Sequence, residues 1–432
     1  MKQISIPSEF FSNNRKNIVS KLKPNSVAVC NANDTMPTNA DGQMIYRQNS
    51  DLFYLTGINQ EETVLFISPD AYLTENREIL FIKYTNEHIS IWEGEKLSLA
   101  KASQISGIKK VLYLHDMERT IYPLIYDAEH IYLNTNEHTR AYHEVTTRDE
   151  RFITLIKQKF PLHKIERLAP ILHILRSIKH QEELKLIKEA ISITERAFYS
   201  ILNIVKPGIA EYEIEAQIIY EFIKSGALGH AYQPIIASGI DSCTLHYTHN
   251  HKICEAGQIL LCDFGACYAN YNADLTRVLP VNGKFTPRQA QVYQAVLRIQ
   301  KYAISLLKPA NNFVEYQKSV GKCAEEELIS LGLITKSEIE KQDPEKPLYK
   351  KYFMHGASHY LGLDVHDVGN RYATFAQGMV LTCEPGIYIR DEKIGIRLEN
   401  NILITSNGNI DLTSSIPIAL KDIEDSMKIV NS

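Results

Sequence analysis

The chain has 432 residues, of which 44% are hydrophobic and 23% charged, an ordinary composition for a globular protein of more than one domain. Its formal net charge is −4 without a basic block, and no run approaches the roughly 18 apolar residues of a membrane span, so nucleic acid and membranes are poor candidate partners. The N-terminus lacks the apolar segment of a signal peptide and the seven cysteines form no CxxC framework, which predicts a reducing, cytoplasmic setting.

Residues 1–172 predict a small α/β domain, because short apolar runs alternate there with polar or helical stretches. The stretch 47–57 is polar, then aromatic, and ends at a glycine, which predicts a loop leading into a half-buried segment. Trp92 lies in a turn-like context. Ordinary packing would explain this residue if it is buried, whereas an exposed Trp92 would suit an interface with another protein chain. Strands are predicted over residues 27–30, 63–67, 79–82, 111–114 and 131–133.

A change to helical periodicity near residue 177 indicates a second domain, which we place at residues 173–432. Thr286, Pro287 and Gln289 have the types expected at the N-cap, first and third positions of a helix with a capping box. A charged stretch over 335–350 predicts a solvated loop. Helices are predicted over 179–205, through Ile214, Ile218 and Phe222, from Thr286 to before Pro309, and over 314–331.

Two stretches of this second domain, 257–283 and 378–408, share one pattern of glycine, apolar run and acid. In each stretch an acid stands six residues after the first glycine, a second glycine follows two residues later, and a second acid precedes Asn-Gly by the same interval. Asn-Gly favours hairpin turns, so we predict a duplicated hairpin that supplies two carboxylates per copy. By position, Asp263 corresponds to Glu384 and Asp274 to Glu399.

Four carboxylates would converge if the two copies pack about a pseudo-twofold axis. An unpaired buried carboxylate costs on the order of several kcal/mol, and neighbouring carboxylates raise one another's pKa, so cations must balance them. Two divalent ions would do so; oxygen ligands suit Mg, Mn or Ca, and an added imidazole shifts the preference toward Mn, Fe, Co or Zn. Three histidines within twelve residues offer such an imidazole: His355, His359 and His366.

Each of these residues has a simpler explanation when taken alone. An aspartate in a strand is usually an edge or turn residue, and a histidine is more often packed in a core than bound to a metal. Cys262 and Cys383 precede acids, but small core residues explain them better because hard oxygen sites disfavour thiolate. The HxxxH spacing also occurs in helical zinc proteases, which need a glutamate where Gly356 stands. Only the conjunction of matched acids with a histidine cluster predicts a metal site.

The second domain is thus predicted to have an α+β fold, with acid-bearing hairpins on one side, amphipathic helices on the other and no βαβ regularity. Its motifs resemble the metallopeptidases with the pita-bread fold, and within them the Xaa-Pro aminopeptidase (aminopeptidase P) family. The resemblance continues through RQNSDLFYLTG and IWEG of the N-terminal domain, so it covers most of the chain. The motifs are LHYTHN, CDFGACYANYNADLTR, HGASHYLGLDVHDVG, TCEPGIYI and GIRLEN.

The resemblance implies a dinuclear metal site, usually occupied by manganese, with cobalt or zinc as further possibilities. Asp274 and Glu399 would bridge the two ions, Asp263 would bind one of them, and His359 and Glu384 the other. The remaining catalytic residues that it implies are the pocket histidines His246, His355 and His366, the proton shuttle Glu384 and the supporting Arg397.

The same resemblance implies release of the N-terminal residue from peptides with proline second, by attack of a metal-bridged hydroxide. Trp92 matches a residue that reaches a neighbouring subunit in tetrameric relatives, so we expect a homo-oligomer, either a dimer or a tetramer. Two positions depart from the family. Asn400-Asn401 follow the last metal glutamate where an aspartate is common, and His249 stands where an acid is common.

Three alternatives share parts of this pattern. A prolidase, which cuts only dipeptides ending in proline, has the same fold, ligands and histidines. A methionine aminopeptidase is disfavoured because its catalytic domain normally lacks so large a preceding domain. Metal-free pita-bread proteins, which are binding modules or creatinase-like enzymes, are disfavoured because all five ligand positions carry competent residues.

Overall fold

The computed structural model describes residues 6–142 and 144–428. These residues form two compact units, 6–176 and 177–428. The division lies close to the domain boundary placed between residues 172 and 173.

The first unit contains a six-stranded mixed sheet among its described residues, in the order β4-β3-β2-β1-β5-β6. All five predicted strands are present, and β1 is buried along its whole length because it lies inside the sheet. The sixth strand was not predicted, since its sequence KIER is polar and lies at the sheet edge. The strands are β1 Ser26–Asn31, β2 Val64–Ile67, β3 Glu78–Ile82, β4 Lys110–Tyr113, β5 His130–Leu133 and β6 Lys164–Arg167.

Helices pack around this sheet, and two of them replace predicted irregular segments. The stretch expected to be a loop and half-buried segment contains a helix over Ser50–Thr56, whose residues 51–56 are buried and whose N-cap is Asn49. Trp92 lies in the helix Glu87–Glu93 rather than in a turn, and it is 77% exposed. The helices are α1 Ser8–Val19, α2 Ser50–Thr56, α3 Glu87–Glu93, α4 Leu99–Ser106, α5 Met117–Tyr126, α6 Arg148–Lys159 and α7 Ala169–Ser177.

The second unit contains the duplicated strand pattern. Each copy has an outer antiparallel pair, β9 with β12 or β13 with β16, and between its members an inner antiparallel pair, β10 with β11 or β14 with β15. The described strands are β7 Gly229–His230, β8 Ile235–Ser238, β9 Ile259–Asp263, β10 Ala266–Tyr268, β11 Tyr271–Asn272, β12 Thr276–Pro280, β13 Val380–Cys383, β14 Gly386–Ile389, β15 Ile394–Arg397, β16 Asn400–Ile404 and β17 Asn409–Asp411.

The two Asn-Gly turns have different roles. Asn407-Gly408 joins β16 to β17, as a hairpin turn should. Asn282-Gly283 follows β12 but leads into a helix, so the predicted hairpin turn is wrong in the first copy. There the Asn282 side chain accepts a hydrogen bond of 3.0 Å from the Gly257 N–H and closes the end of the β9–β12 pair instead.

The four predicted helices of this unit are present. The Thr286 hydroxyl accepts from Gln289 N–H and the Gln289 side chain accepts from Thr286 N–H, as the capping box requires. The stretch 335–350, expected to be a loop, holds a short helix with its own capping box at Thr335. The helices are α8 Gln181–Leu202, α9 Glu211–Lys224, α10 Pro287–Leu306, α11 Phe313–Ser330, α12 Lys336–Glu340 and α13 Leu420–Lys428.

Candidate metal centre

The four acids of the duplicated pattern lie where the outer strand pairs pass into the inner pairs. Asp263 ends β9 and Glu384 directly follows β13, while Asp274 precedes β12 and Glu399 precedes β16. The two copies are joined at this place, because Thr276 Oγ1 donates to Glu399 Oε2 at 2.7 Å and Glu399 N–H donates to the Thr276 carbonyl at 3.1 Å. The duplication therefore brings its acids to one junction.

A glycine allows the inner pair of the first copy to fold back at this junction. A Cβ atom on Gly265 would lie 1.8 Å from the carbonyl oxygen of Ala273, which precedes Asp274. No side chain fits in that space. Gly265 is therefore required at this position, because any side chain there would displace the backbone that carries Asp274.

Asp274, His359 and Glu399 form the most compact group of potential ligands, since each offers an atom within 4.8 Å of the others. His359 Nε2 lies 3.4 Å from Asp274 Oδ2 and 3.5 Å from Glu384 Oε1. The other ring nitrogen of His359, Nδ1, donates to the Tyr360 carbonyl at 2.8 Å. That bond directs Nε2 toward the acids, in the orientation that a metal ligand needs.

Asp263 is held by a guanidinium and a phenol. Arg397 Nη2 donates to Asp263 Oδ2 at 2.5 Å, and both groups are buried. The hydroxyl of Tyr232 lies 2.5 Å from Oδ1 of Asp263 and 2.5 Å from Oδ1 of Asp274, so it links the two aspartates. Arg397 thus contacts one of the predicted metal ligands.

Negative charge exceeds positive charge at the junction, and the pKa values reflect this. Burial raises the pKa of Glu384 to about 7, although His359 and Arg397 lower it. Burial, followed by the charges of Asp274 and Glu384, raises the pKa of Glu399 well above its usual range. Burial also raises the pKa of Asp263, against the lowering effect of Arg397.

His359 responds in the opposite sense. Burial lowers its pKa, but the hydrogen bond to Asp274 and the charge of Glu384 outweigh burial and raise it. Raised pKa values of several neighbouring acids show that Arg397 and His359 do not balance the negative charge of the junction. The oxygen-rich donor set with one imidazole therefore fits divalent metal ions.

The three pocket histidines differ in their surroundings. His366 is exposed, and its ring meets that of His359 edge to face, with centroids 4.4 Å apart. His355 Nε2 lies 2.7 Å from the Tyr388 hydroxyl, and its Nδ1 lies 3.8 Å from Glu384 Oε2. His246 is exposed, and within residues 6–142 and 144–428 it makes no hydrogen bond or ion pair to the acids. The structure thus brings His355 and His366 to the junction, and His246 only to the surface.

Several contacting residues escaped the sequence analysis. Tyr232 lies in no repeat, and Thr276 and Tyr388 look like ordinary strand residues. Arg397 donates to both of the latter, at 3.2 Å to Thr276 Oγ1 and 2.9 Å to the Tyr388 hydroxyl. The one available signal was positional, because Thr276 lies two residues after the predicted ligand Asp274.

The asparagines that depart from the family pattern also have contacts. Asn401 accepts from the Asp274 N–H at 3.2 Å and donates to the Asp274 carbonyl at 2.6 Å, which clamps the backbone of that acid. Asn400 donates to Asp411. His249 is exposed, with its ring centroid 6.0 Å from that of His251.

Comparison with known proteins identifies the family to which the chain belongs. The profile of metallopeptidase family M24 matches residues 185–406, which include all four acids and His359. A second profile, the N-terminal domain of aminopeptidase P, matches residues 11–132. The Xaa-Pro aminopeptidase of Escherichia coli K12 is 33% identical, over 97% of both chains. The chain belongs to metallopeptidase family M24.

Other family members extend the likeness. Human Xaa-Pro aminopeptidase 3 is 27% identical over 91% of this chain and 79% of its own. Aminopeptidase PepP of Pseudomonas aeruginosa superposes with a TM-score of 0.90 at 29% identity, covering 99% of each chain. A zinc-substituted E. coli aminopeptidase P in complex with product has a TM-score of 0.89 at 31% identity, covering 99% of this chain and all of its own.

These relatives confirm two predictions. The fold is the mixed helix and sheet of aminopeptidase P, with an N-terminal domain before the M24 domain. The protein is a metalloaminopeptidase, an exopeptidase and hydrolase that depends on divalent metal. Among the described residues no helix has the length and apolarity needed to cross a membrane.

Proposed function

We propose that this metalloaminopeptidase releases the N-terminal residue from peptides whose second residue is proline, using two divalent cations. The convergence of Asp274, His359 and Glu399, with ligand atoms within 4.8 Å of one another, carries the proposal. Full-length similarity to Xaa-Pro aminopeptidases supports the substrate class.

In this proposal the five predicted ligands hold the two cations together. Asp274 and Glu399 would hold both cations, because they come from the two copies of the pattern and lie close together. Asp263 would hold one cation, and His359 with Glu384 would hold the other, in keeping with the 3.5 Å between His359 Nε2 and Glu384 Oε1. Bound divalent cations polarise the peptide carbonyl and lower the pKa of water toward about 7.

The chain's own residues then manage the proton and the substrate. Glu384 accepts a proton from the attacking water and delivers it to the leaving proline nitrogen. His366 and His246 donate hydrogen bonds to the peptide, and His355 lines the pocket. Arg397 orients Asp263 and favours its ionised form. The substrate's free N-terminal amine binds at the acidic junction, which restricts the enzyme to the first residue.

Manganese is the proposed metal, since oxygen ligands with one imidazole suit it; cobalt and zinc fit the same donors.

We also propose a homo-oligomer, either a dimer or a tetramer. Trp92 and Ile91 on α3 are 77% and 74% exposed and offer an apolar contact. All seven cysteines are unpaired, which suits the reducing conditions of the cytoplasm.

A peptide panel tests the substrate and the metal together. Metal-depleted protein is assayed with and without Mn²⁺ on an Xaa-Pro tripeptide, the matched Xaa-Ala tripeptide and the Xaa-Pro dipeptide. We expect Mn²⁺-dependent release of the first residue from the Xaa-Pro tripeptide alone or in clear preference. Hydrolysis of the dipeptide only would establish a prolidase instead, and absence of both hydrolysis and bound metal by elemental analysis would establish a binding module.

A further inference from the structure

A buried ion pair lies beside the candidate centre and belongs to neither copy of the strand pattern. Lys179 Nζ lies 2.9 Å from Asp367 Oδ2, and each side chain is 1% exposed. Lys179 precedes α8, and its backbone N–H donates to the Gly378 carbonyl at 2.8 Å. Burying two charges is costly, and an apolar pair of similar volume is often as stable or more so. Stability alone therefore does not account for this pair.

The pair lies at the end of the segment 360–367, which follows His359 and contains His366. The Asp367 N–H donates to the Tyr360 carbonyl at 2.9 Å, so the two ends of the segment meet. Near its middle, the Asn272 side chain donates to the Leu363 carbonyl at 2.8 Å. The segment is a closed loop held to the rest of the unit from two sides.

Gly362 lets the ion pair lie directly against this loop. A Cβ atom at that position would stand 2.2 Å from Asp367 Oδ2 and 2.8 Å from Lys179 Cε. The pair and the loop are therefore in contact without space between them, and a shift of Asp367 is transmitted to the residues next to it.

His366 is the functional residue next to Asp367. Its ring packs on that of His359 with centroids 4.4 Å apart. His359 is also held by its own hydrogen bonds, since its N–H donates to Thr382 Oγ1 at 3.0 Å and its Nδ1 to the Tyr360 carbonyl. Because Asp367 directly follows His366 in the chain, a disturbance at Asp367 should displace His366 more than it displaces the metal-ligating histidine.

We propose that Lys179 and Asp367 are positioning residues that hold His366 over the metal centre. This inference rests on the proposed function, in which His366 donates a hydrogen bond to the peptide. The pair does not touch the substrate. It acts by fixing the end of the loop from which His366 projects.

A double-mutant cycle tests the coupling. Asp367→Asn, His366→Ala and the double variant are compared for kcat/KM on an Xaa-Pro tripeptide, with metal content measured on each. We expect Asp367→Asn to lower kcat/KM by about tenfold to a hundredfold, the range for small misplacement of a catalytic group, with metal content unchanged. On the His366→Ala background the same substitution should cost less than about twofold.

Equal losses on both backgrounds, or loss of metal in Asp367→Asn, would overturn the inference while leaving the proposed function intact. A His366→Ala variant with unchanged kcat/KM would instead remove the proposed role of His366, and with it any role of the pair through that residue.

A second variant separates positioning from folding. In Lys179→Met/Asp367→Leu both charges are replaced by apolar groups, so the melting temperature should be retained while kcat/KM falls by at least tenfold. Retention of both would contradict the proposal. Asp51→Asn is the matched control, because it breaks a buried ion pair with Arg176 in the other unit; its effect should be the same with His366 or Ala at position 366.

Discussion

Each unit of the chain buries a cluster of acids, and the two clusters are balanced differently. In residues 6–176, Asp51 accepts from Arg176 Nη1 at 2.7 Å and from Asn134 Nδ2 at 2.8 Å, while Asp149 accepts a hydrogen bond of 2.8 Å from the Asn31 amide. In residues 177–428, four acids lie close to one guanidinium, that of Arg397, and to the imidazoles of His359 and His355.

The difference shows three ways in which a protein can keep a buried carboxylate. Asp51 has a permanent cation beside it. Asp149 has no basic side chain in such close contact among the described residues, and burial raises its pKa to about 7, which favours its protonated form relative to that of an exposed acid. The negative charge of the acids at the metal centre is more than the nearby basic side chains can balance. We propose that bound divalent cations balance the rest. Each mode makes a different experimental prediction.

The largest effect is expected at the metal centre. Glu399→Gln keeps the acceptor for Thr276 Oγ1 but removes a bridging charge, so bound metal should fall and kcat/KM should drop by more than about a hundredfold, beyond what loss of an outer contact causes. Metal-free Glu399→Gln should unfold no more easily than metal-free wild type, because a buried charge has gone. Elemental analysis, peptide hydrolysis and denaturant unfolding measure the three quantities. Full metal content with full activity would show that Glu399 is not a bridging ligand.

Asp51→Asn should lower stability and leave metal binding and activity unchanged, the opposite of what we expect for Glu399→Gln. It leaves the Arg176 guanidinium, 3% exposed, without its carboxylate, and breaking a buried pair in this way costs about 3–5 kcal/mol of unfolding free energy. Metal content and kcat/KM of the folded protein should be unchanged. Urea unfolding and elemental analysis on the same preparation test the expected loss of stability and the unchanged metal content. An Asp51→Asn variant that loses metal without losing stability would contradict the different roles assigned to the two clusters.

The sequence predicted one cluster and not the other. The acids of the metal centre occur in a repeat, and repetition is visible without a structure. Asp51 and Asp149 occur singly and meet their partners only through the fold, with Arg176 more than a hundred residues from Asp51 along the chain. The same limit applies to Tyr232, whose hydroxyl links Asp263 and Asp274 although it belongs to no motif.

The fold shows the same division. Helices with a long apolar stripe, such as α8, and strands with apolar runs, such as β1, could be predicted because periodicity defines them. The helix α2 was missed because it has only seven residues and is buried all round, which removes the periodicity. The strand β6 was missed for the opposite reason, since its residues are mostly exposed.

The smallest expected effect concerns Asp149 and appears as a pH dependence. Its pKa is raised from an ordinary value of 3.8 to about 7, first by burial, so the folded state binds more protons than the unfolded state between these values. Stability therefore falls as pH rises through that window. Asp149→Asn keeps an acceptor for Asn31 and removes the titration. The loss of unfolding free energy between pH 5 and pH 8 should then be smaller than in wild type by about 2 kcal/mol. Denaturant unfolding at both pH values measures this difference, with Asp127→Asn as the control for an exposed acid of the same unit. Identical pH dependence in wild type and Asp149→Asn would mean that Asp149 is ionised in the folded protein, and protonation would then not be one of the ways in which this chain keeps a buried acid.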